Sequence, residues 1–297
     1  MKRALSFGAI LWDVIGEREY LGGAPFNLAA HLARWGLESY IVTKTGEDAR
    51  GRSAWDAMER LEVHTDFARQ DPSHETGIAI CSLDDTGSAH YEVPLNSAYR
   101  YIETDDRMLS AIQEKQFDVF CFGSFEQKAP VSREALRRLL RLPFGEVFFD
   151  VNIRQGFYPR DVIEDSLRAA TIVKLNDDEA VLLSELLYES ALNGAELADA
   201  FRRDYGVRVL CITCGGDGCD VYEEKNAIHA PQTPVKVADT VGAGDAFSGA
   251  FLATLLETGD LALAAKRANR LGGFVASQSG AIPDYRSADF LRETDAI

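Results

Sequence analysis

The sequence predicts an α/β protein, a mainly parallel central sheet flanked by helices, with a small β-sheet lid beside it. Three observations predict it. Short β-rich apolar runs alternate with helical patterns, the signature of βαβ units. With 297 residues, 46% of them hydrophobic, there is material for a sizeable core. One stretch breaks the rhythm: Thr76–Leu83 and Ser88–Leu95 are β-patterned runs around Asp84-Asp85-Thr86-Gly87, a hairpin signal.

The chain opens on the apolar run Ala4–Leu11, too short for a signal peptide with its flanks and read as a first buried strand. Gly22-Gly23-Ala24-Pro25 introduces a helix over Pro25–Trp35, with proline in a first turn, where its missing N–H has no intrahelical partner to lose. Ser39–Lys44 is the next strand and Arg52–Arg60 the helix after it. Trp12–Leu21 joins the hairpin in a small antiparallel sheet, which reads equally well as a lid and as an extension of the main sheet. The rhythm resumes with strands at Asp118–Phe122, Glu146–Val151, Thr171–Leu175 and Arg208–Thr213. Helices follow at Ser132–Leu140, Asp177–Leu187, Glu196–Tyr205, Ala246–Thr258 and Leu261–Val275. No repeat, low-complexity tract or long linker interrupts the chain, so residues 1–297 read as one domain with an excursion near 12–21 and 75–97. Parallel sheets of this kind carry ligands at the C-terminal ends of their strands.

A formal net charge of −16 would repel phosphate backbones and anionic membranes, so nucleic acid and membrane are excluded as partners. No stretch approaches the roughly 18 apolar residues of a membrane span, and a cytoplasmic location is expected. Five cysteines, an odd number in a long chain, argue against a disulfide scaffold. Cys211 and Cys214 form a C-x-x-C without a second pair to complete a zinc site, and they read as thiols of a buried strand.

The strongest motif is Asp239-Thr240-Val241-Gly242-Ala243-Gly244-Asp245-Ala246-Phe247, followed at once by an apolar helical pattern. Its glycines let consecutive N–H groups converge, and the helix adds its positive end, which together make an anion hole. An acid inside such a hole makes sense if it takes a proton from a hydroxyl attacking the anion. Helix capping by Asp245 explains the same nine residues equally well. Gly22–Asn27 is a second glycine-rich helix entry, and Asn27 can both donate to and accept from a polyol. Asn176-Asp177-Asp178-Glu179 ends a strand with hard oxygen ligands that suit Mg²⁺ held through water, although acidic first turns are also ordinary dipole chemistry. Thr213-Cys214-Gly215-Gly216-Asp217-Gly218 allows close approach of phosphate or ribose, or simply a tight hairpin.

Two decoys fail. Gly46-Glu47-Asp48-Ala49-Arg50-Gly51-Arg52-Ser53 nearly spells a phosphate-binding P-loop, but Arg52 replaces its lysine and two acids would face the phosphates. The dinucleotide fingerprint fails because Phe247 stands where its third glycine belongs.

Taken together, these residues resemble the ribokinase-like (PfkB) family of carbohydrate kinases over nearly the whole chain. Asp239–Phe247 matches its C-terminal signature, Gly22–Asn27 its sugar-binding loop, Asn176 and Glu179 its N-x-x-E, and Asp150–Arg154 the D-x-N-x-R of its fructokinase and ketodeoxygluconate kinase branches. The resemblance implies a ribokinase-like fold and transfer of the ATP γ-phosphoryl group to a sugar hydroxyl. It implies Asp245 as general base, with the amides of Gly242, Ala243, Gly244 and Asp245 as anion hole. It implies Asp13, Gly23, Asn27 and Arg154 around the sugar, and Thr213, Gly215, Gly218 and Asn269 around the nucleotide. Asn176 and Glu179 would order Mg²⁺. Asp239, Val241 and Gly280 would hold a K⁺ ion through loop oxygens. A lid built around Asp13, Cys81 and Tyr91 would close over the sugar and pair two subunits into a homodimer.

Fructose is the expected sugar, because the opening Ile10–Val14 and the Gly22–Asn27 loop look most like bacterial fructokinases. The acidic substrate of a ketodeoxygluconate kinase is the alternative, served by Arg100, Arg154 and Arg160, and nucleoside and ribose kinases come after. Two readings of other classes, a non-catalytic sugar-binding regulator and a dinucleotide oxidoreductase, are opposed by the retained Asp245 and by the missing fingerprint.

Overall fold

The computed structural model of the chain describes residues 1–16, 18–83, 89–94, 96–154 and 156–291. Apolar alternation lays down a large sheet of β1 (Arg3–Phe7), β4 (Glu38–Gly46), β5 (Val63–His64), β6 (Ala68–Asp71), β9 (Val119–Gly123), β10 (Glu146–Asp150), β11 (Ile172–Asn176), β12 (Val209–Thr213), β13 (Cys219–Glu223) and β14 (Asn226–Ala230). Its order is β14-β13-β12-β11-β10-β9-β1-β4-β5, with β6 also paired to β4. All pairs from β12 through to β5 are parallel, and β13 and β14 add an antiparallel edge. The remaining strands β2 (Leu11–Ile15), β3 (Arg18–Gly22), β7 (Gly77–Leu83) and β8 (Ala89–Glu92) form a separate sheet, order β3-β2-β7-β8.

Successive strand residues point to opposite faces. Phe120, Phe122, Phe149, Val173 and Leu210 pack into one core, beneath α3 (Asp106–Lys115), α4 (Pro130–Leu139), α5 (Arg160–Ala169), α6 (Asp177–Tyr188) and α7 (Gly194–Tyr205). Val119, Cys121, Phe148, Ile172 and Val209 pack into another, beneath α1 (Ala24–Arg34), α8 (Ala243–Thr258) and α9 (Leu261–Ala276). Helix α8 is buried without a break from Ala246 to Leu255, the pattern of a helix surrounded by core. A third cluster packs α1 against α2 (Ala49–Arg60). No helix among the described residues is long and apolar enough to cross a membrane.

The structure corrects the reading in two places. The first strand ends at Phe7, not Leu11. Gly8, at φ +144°, turns the chain out of the large sheet, and a side chain there would strike Pro25 and Glu126. The small sheet is a separate body and not wholly antiparallel, because β2 and β7 run parallel. The hairpin turn predicted over Asp84–Gly87 lies outside the described residues. The rejected phosphate loop Gly46–Ser53 is instead the root of the small sheet. Asp48 caps α2 by accepting from Gly51 N–H at 2.7 Å, and also accepts from the Thr76 N–H and hydroxyl at 2.7 and 2.8 Å, just before β7. Arg50 then grips Glu19 of β3 with two bonds, at 2.6 and 3.0 Å, and its carbonyl receives the Trp12 indole N–H at 3.3 Å.

Candidate active site

Three adjacent parallel strands, β10, β11 and β12, end at residues of the predicted motifs: Asp150, Asn176 and Thr213. Helix α8 starts from Gly242, in the left-handed region at φ +76°, with no side-chain cap. A side chain at 242 would meet Ala281 Cα at 2.5 Å and its carbonyl oxygen at 2.8 Å, so only glycine lets the two loops touch. Asp245 therefore does not cap the helix. Its Oδ2 accepts from Asn27 Nδ2, one turn into α1, at 2.8 Å. Burial pushes the Asp245 carboxyl up to about 6 and Asp150 pushes the same way, while the Asn27 bond, Lys174 and Arg154 hold it down. The N–H of Ala243 is engaged by Thr240 O at 3.2 Å. Helix geometry leaves those of Gly244 and Asp245 without an intrahelical acceptor, at the positive end of the dipole.

Asn27 is 3% exposed, and its Oδ1 is a buried acceptor with no hydrogen-bond partner. Such an atom loses a bond in the free protein and gains one from a ligand hydroxyl. Gly23 caps α1 at φ +102°, where a side chain would meet the Ala9 carbonyl oxygen at 2.5 Å. Asp13, on β2, has its carboxyl raised by burial, lowered by Arg154 and raised again by Asp239. Arg154 thus favours the charged form of both Asp13 and Asp245.

The sequence reading missed the charge beneath this turn. Lys174, in the middle of apolar β11, places its ammonium 3.1 and 3.2 Å from the two oxygens of Asp150 on β10. Ser248 Oγ completes the cluster with a bond to Asp150 at 3.3 Å. A side chain on Gly244 would stand 3.2 Å from Lys174 Nζ, so the ammonium lies directly under the turn. The legible signal was a lysine inside Thr171–Leu175, which a buried strand excludes unless it is paired.

The other predicted residues divide. Asn176 and Glu179 form a capping box on α6: Asn176 Oδ1 accepts Glu179 N–H at 2.8 Å, and Glu179 Oε2 accepts Asn176 N–H at 2.9 Å. Glu179 Oε1 reaches across to Ile153 N–H at 2.7 Å and so fixes the loop bearing Arg154. Thr213, Gly215 and Gly218 make the β12–β13 turn, with Cys214 N–H bonded to Gly218 O at 2.8 Å. Asn269 is buried in α9 and gives its amide to Ala230 O at 2.6 Å. Gly218 packs on that same carbonyl, so the turn and Asn269 converge. Asp239 Oδ1 accepts Val241 N–H at 3.0 Å, and the loop meets the Gly280–Ala281 segment through Gly242. Arg160 lies elsewhere: it holds Glu164 and the carbonyls of Leu186 and Leu187 at the end of α6.

A model described as pfkB family carbohydrate kinase matches residues 11–288. An aminoimidazole riboside kinase of Salmonella typhimurium is 28% identical, over 95% of this chain and 91% of its own. A fructokinase of Klebsiella pneumoniae is 28% identical, over 80% of this chain and 78% of its own. The crystal structure of a fructokinase from Vibrio cholerae O395, in a form bound to fructose, ADP and calcium, superposes with a TM-score of 0.85. It is 24% identical over 98% of both chains and shows the likeness of fold.

Proposed function

This chain belongs to the pfkB family of carbohydrate kinases, and we propose that it transfers the γ-phosphoryl group of ATP to a hydroxyl of fructose. The observation that carries the reading is the Asn27–Asp245 pair. A carboxylate at the head of a helix is held by an amide whose own oxygen is buried and open. Asn27 Oδ1 and Asp13 would accept sugar hydroxyls, with Arg154 donating between them. Asp245 takes the proton of the attacking hydroxyl as the new O–P bond forms and the bond from Pγ to the β-phosphate oxygen breaks. The N–H groups of Gly242, Gly244 and Asp245, with Lys174 beneath, oppose the charge on the phosphoryl oxygens. The turn Thr213–Gly218 and Asn269 are proposed to line the nucleotide cleft.

Both oxygens of Glu179 already accept a backbone N–H, and no group of three or more His, Cys, Asp or Glu among the described residues could hold a bare metal ion. Their second lone pairs suit the water shell of Mg²⁺, so Asn176 and Glu179 would hold it through water. When bound it supplies charge neutralisation on the phosphates. Loop oxygens of Asp239, Val241 and Gly280 are the proposed K⁺ site. A neutral sugar is favoured over an acidic one because Arg160 is engaged away from the site.

The test is ADP release with fructose, ketodeoxygluconate, ribose and aminoimidazole riboside. The expected result is the highest kcat/KM with fructose. A higher value for another substrate overturns the sugar and leaves the kinase, and no turnover with any favours a sugar-binding regulator.

A further inference from the structure

We propose that His31 is a positioning residue, which sets the phosphate-receiving turn at Gly242 from the same helix that carries Asn27. His31 follows Asn27 by four residues on α1, as Gly249 follows Asp245 by four on α8, so each pair shares a helix face. The two faces meet in register. Asn27 bonds Asp245, and one turn further a side chain on Gly249 would stand 2.6 Å from His31 Cβ. The His31 ring is fully buried, with Nδ1 2.7 Å from the Tyr285 hydroxyl and Nε2 3.1 Å from the Ala281 carbonyl oxygen. A carbonyl only accepts, so Nε2 carries the hydrogen and Nδ1 accepts from Tyr285, an assignment drawn from the hydrogen-bond network.

The carbonyl that His31 holds belongs to the residue on which Gly242 rests. Helix α1 therefore controls the candidate site twice, through Asn27 to the Asp245 carboxylate and through His31 and Ala281 to the turn itself. An apolar residue would fill the same space without the desolvation cost of a buried imidazole. What an apolar residue cannot do is fix the Ala281 carbonyl.

This inference rests on the Gly242–Asp245 turn being where the phosphoryl group is received. The test compares His31→Phe, His31→Gln, Tyr285→Phe and Asp245→Asn in the full chain, by kcat, by KM for fructose and by thermal unfolding. Displacing a positioned turn lowers the rate more than binding, so His31→Phe should lose about tenfold or more in kcat with KM within about threefold. His31→Gln, which can give its amide N–H to Ala281 O, should recover most of that loss. Tyr285→Phe, which frees the tautomer, should fall between. Unchanged kcat in a folded His31→Phe overturns the proposal. If that variant does not fold, unchanged kcat in Tyr285→Phe overturns it. A His31→Gln variant as slow as His31→Phe also overturns it, because packing alone would then explain the loss. Unchanged turnover in Asp245→Asn refutes the underlying reading instead, whatever the His31 variants do.

Discussion

Helices α6 and α8 begin alike and end up with different chemistry. Both begin at the C-terminal side of the sheet, α6 directly from β11 and α8 from the loop after β14, and each carries an acid at the third helical position, Glu179 in one and Asp245 in the other. In α6 the cap is Asn176, so cap and acid satisfy each other and the carboxylate is tied to backbone N–H groups on both oxygens. In α8 the cap is a left-handed glycine with no side chain, and the acid is shorter by one methylene. Among the described residues no group of the turn bonds the Asp245 carboxylate, which accepts instead from an amide of another helix. The cap residue, rather than the acid, decides whether a first-turn carboxylate is structural or available.

Removing the available acid should have the largest effect. Asp245→Asn should lose about 10²–10⁴ in kcat, because a positioned base contributes about that much, while sugar binding measured by calorimetry persists. Gly242→Ala should come next: a side chain at φ +76° against Ala281 should cost about 1–3 kcal/mol in urea unfolding, with a fall in kcat from the displaced turn. The third effect is on pH. Asp245, as the proposed base, would work only when ionised, so kcat should fall as pH drops through its value of about 6 and level off above it. Asn27→Ala removes a bond that holds this carboxyl down, so its acid limb should move to higher pH. A limb that stays in place separates the pair. The smallest effect is on the other helix: Asn176→Ala should cost about 1 kcal/mol of stability as a lost cap. A loss near zero would mean that the Glu179 bonds alone hold that turn.

Much of the fold was legible because periodicity and glycine placement are local. The βαβ rhythm located most of the central strands and the helices around them. The β13–β14 hairpin was missed because its turn contains no glycine, and Glu224 takes the left-handed conformation at φ +50°. Helix α3 was missed although Asp105, which caps it, stood in plain view. Strand β1 was overextended because Ala9, Ile10 and Leu11 remain apolar after the chain has left the sheet. In the site, Asp245, Asn27 and the glycines were legible because their spacing along the chain reflects the turns they make. Lys174 and His31 were not. Their significance lies in partners that only the fold supplies: Asp150 on the neighbouring strand, and Ala281 some 250 positions away along the chain.

The anchoring of the small sheet has a consequence of a different kind. Its root depends on one carboxylate, Asp48, serving three donors, and its outer strand on the exposed Arg50–Glu19 bridge, each partner 38% exposed. Charges open to solvent are screened by added electrolyte, whereas the half-buried Asp245 and the buried Lys174–Asp150 pair are shielded from it. Ionic strength should therefore loosen one end of the molecule and leave the other untouched.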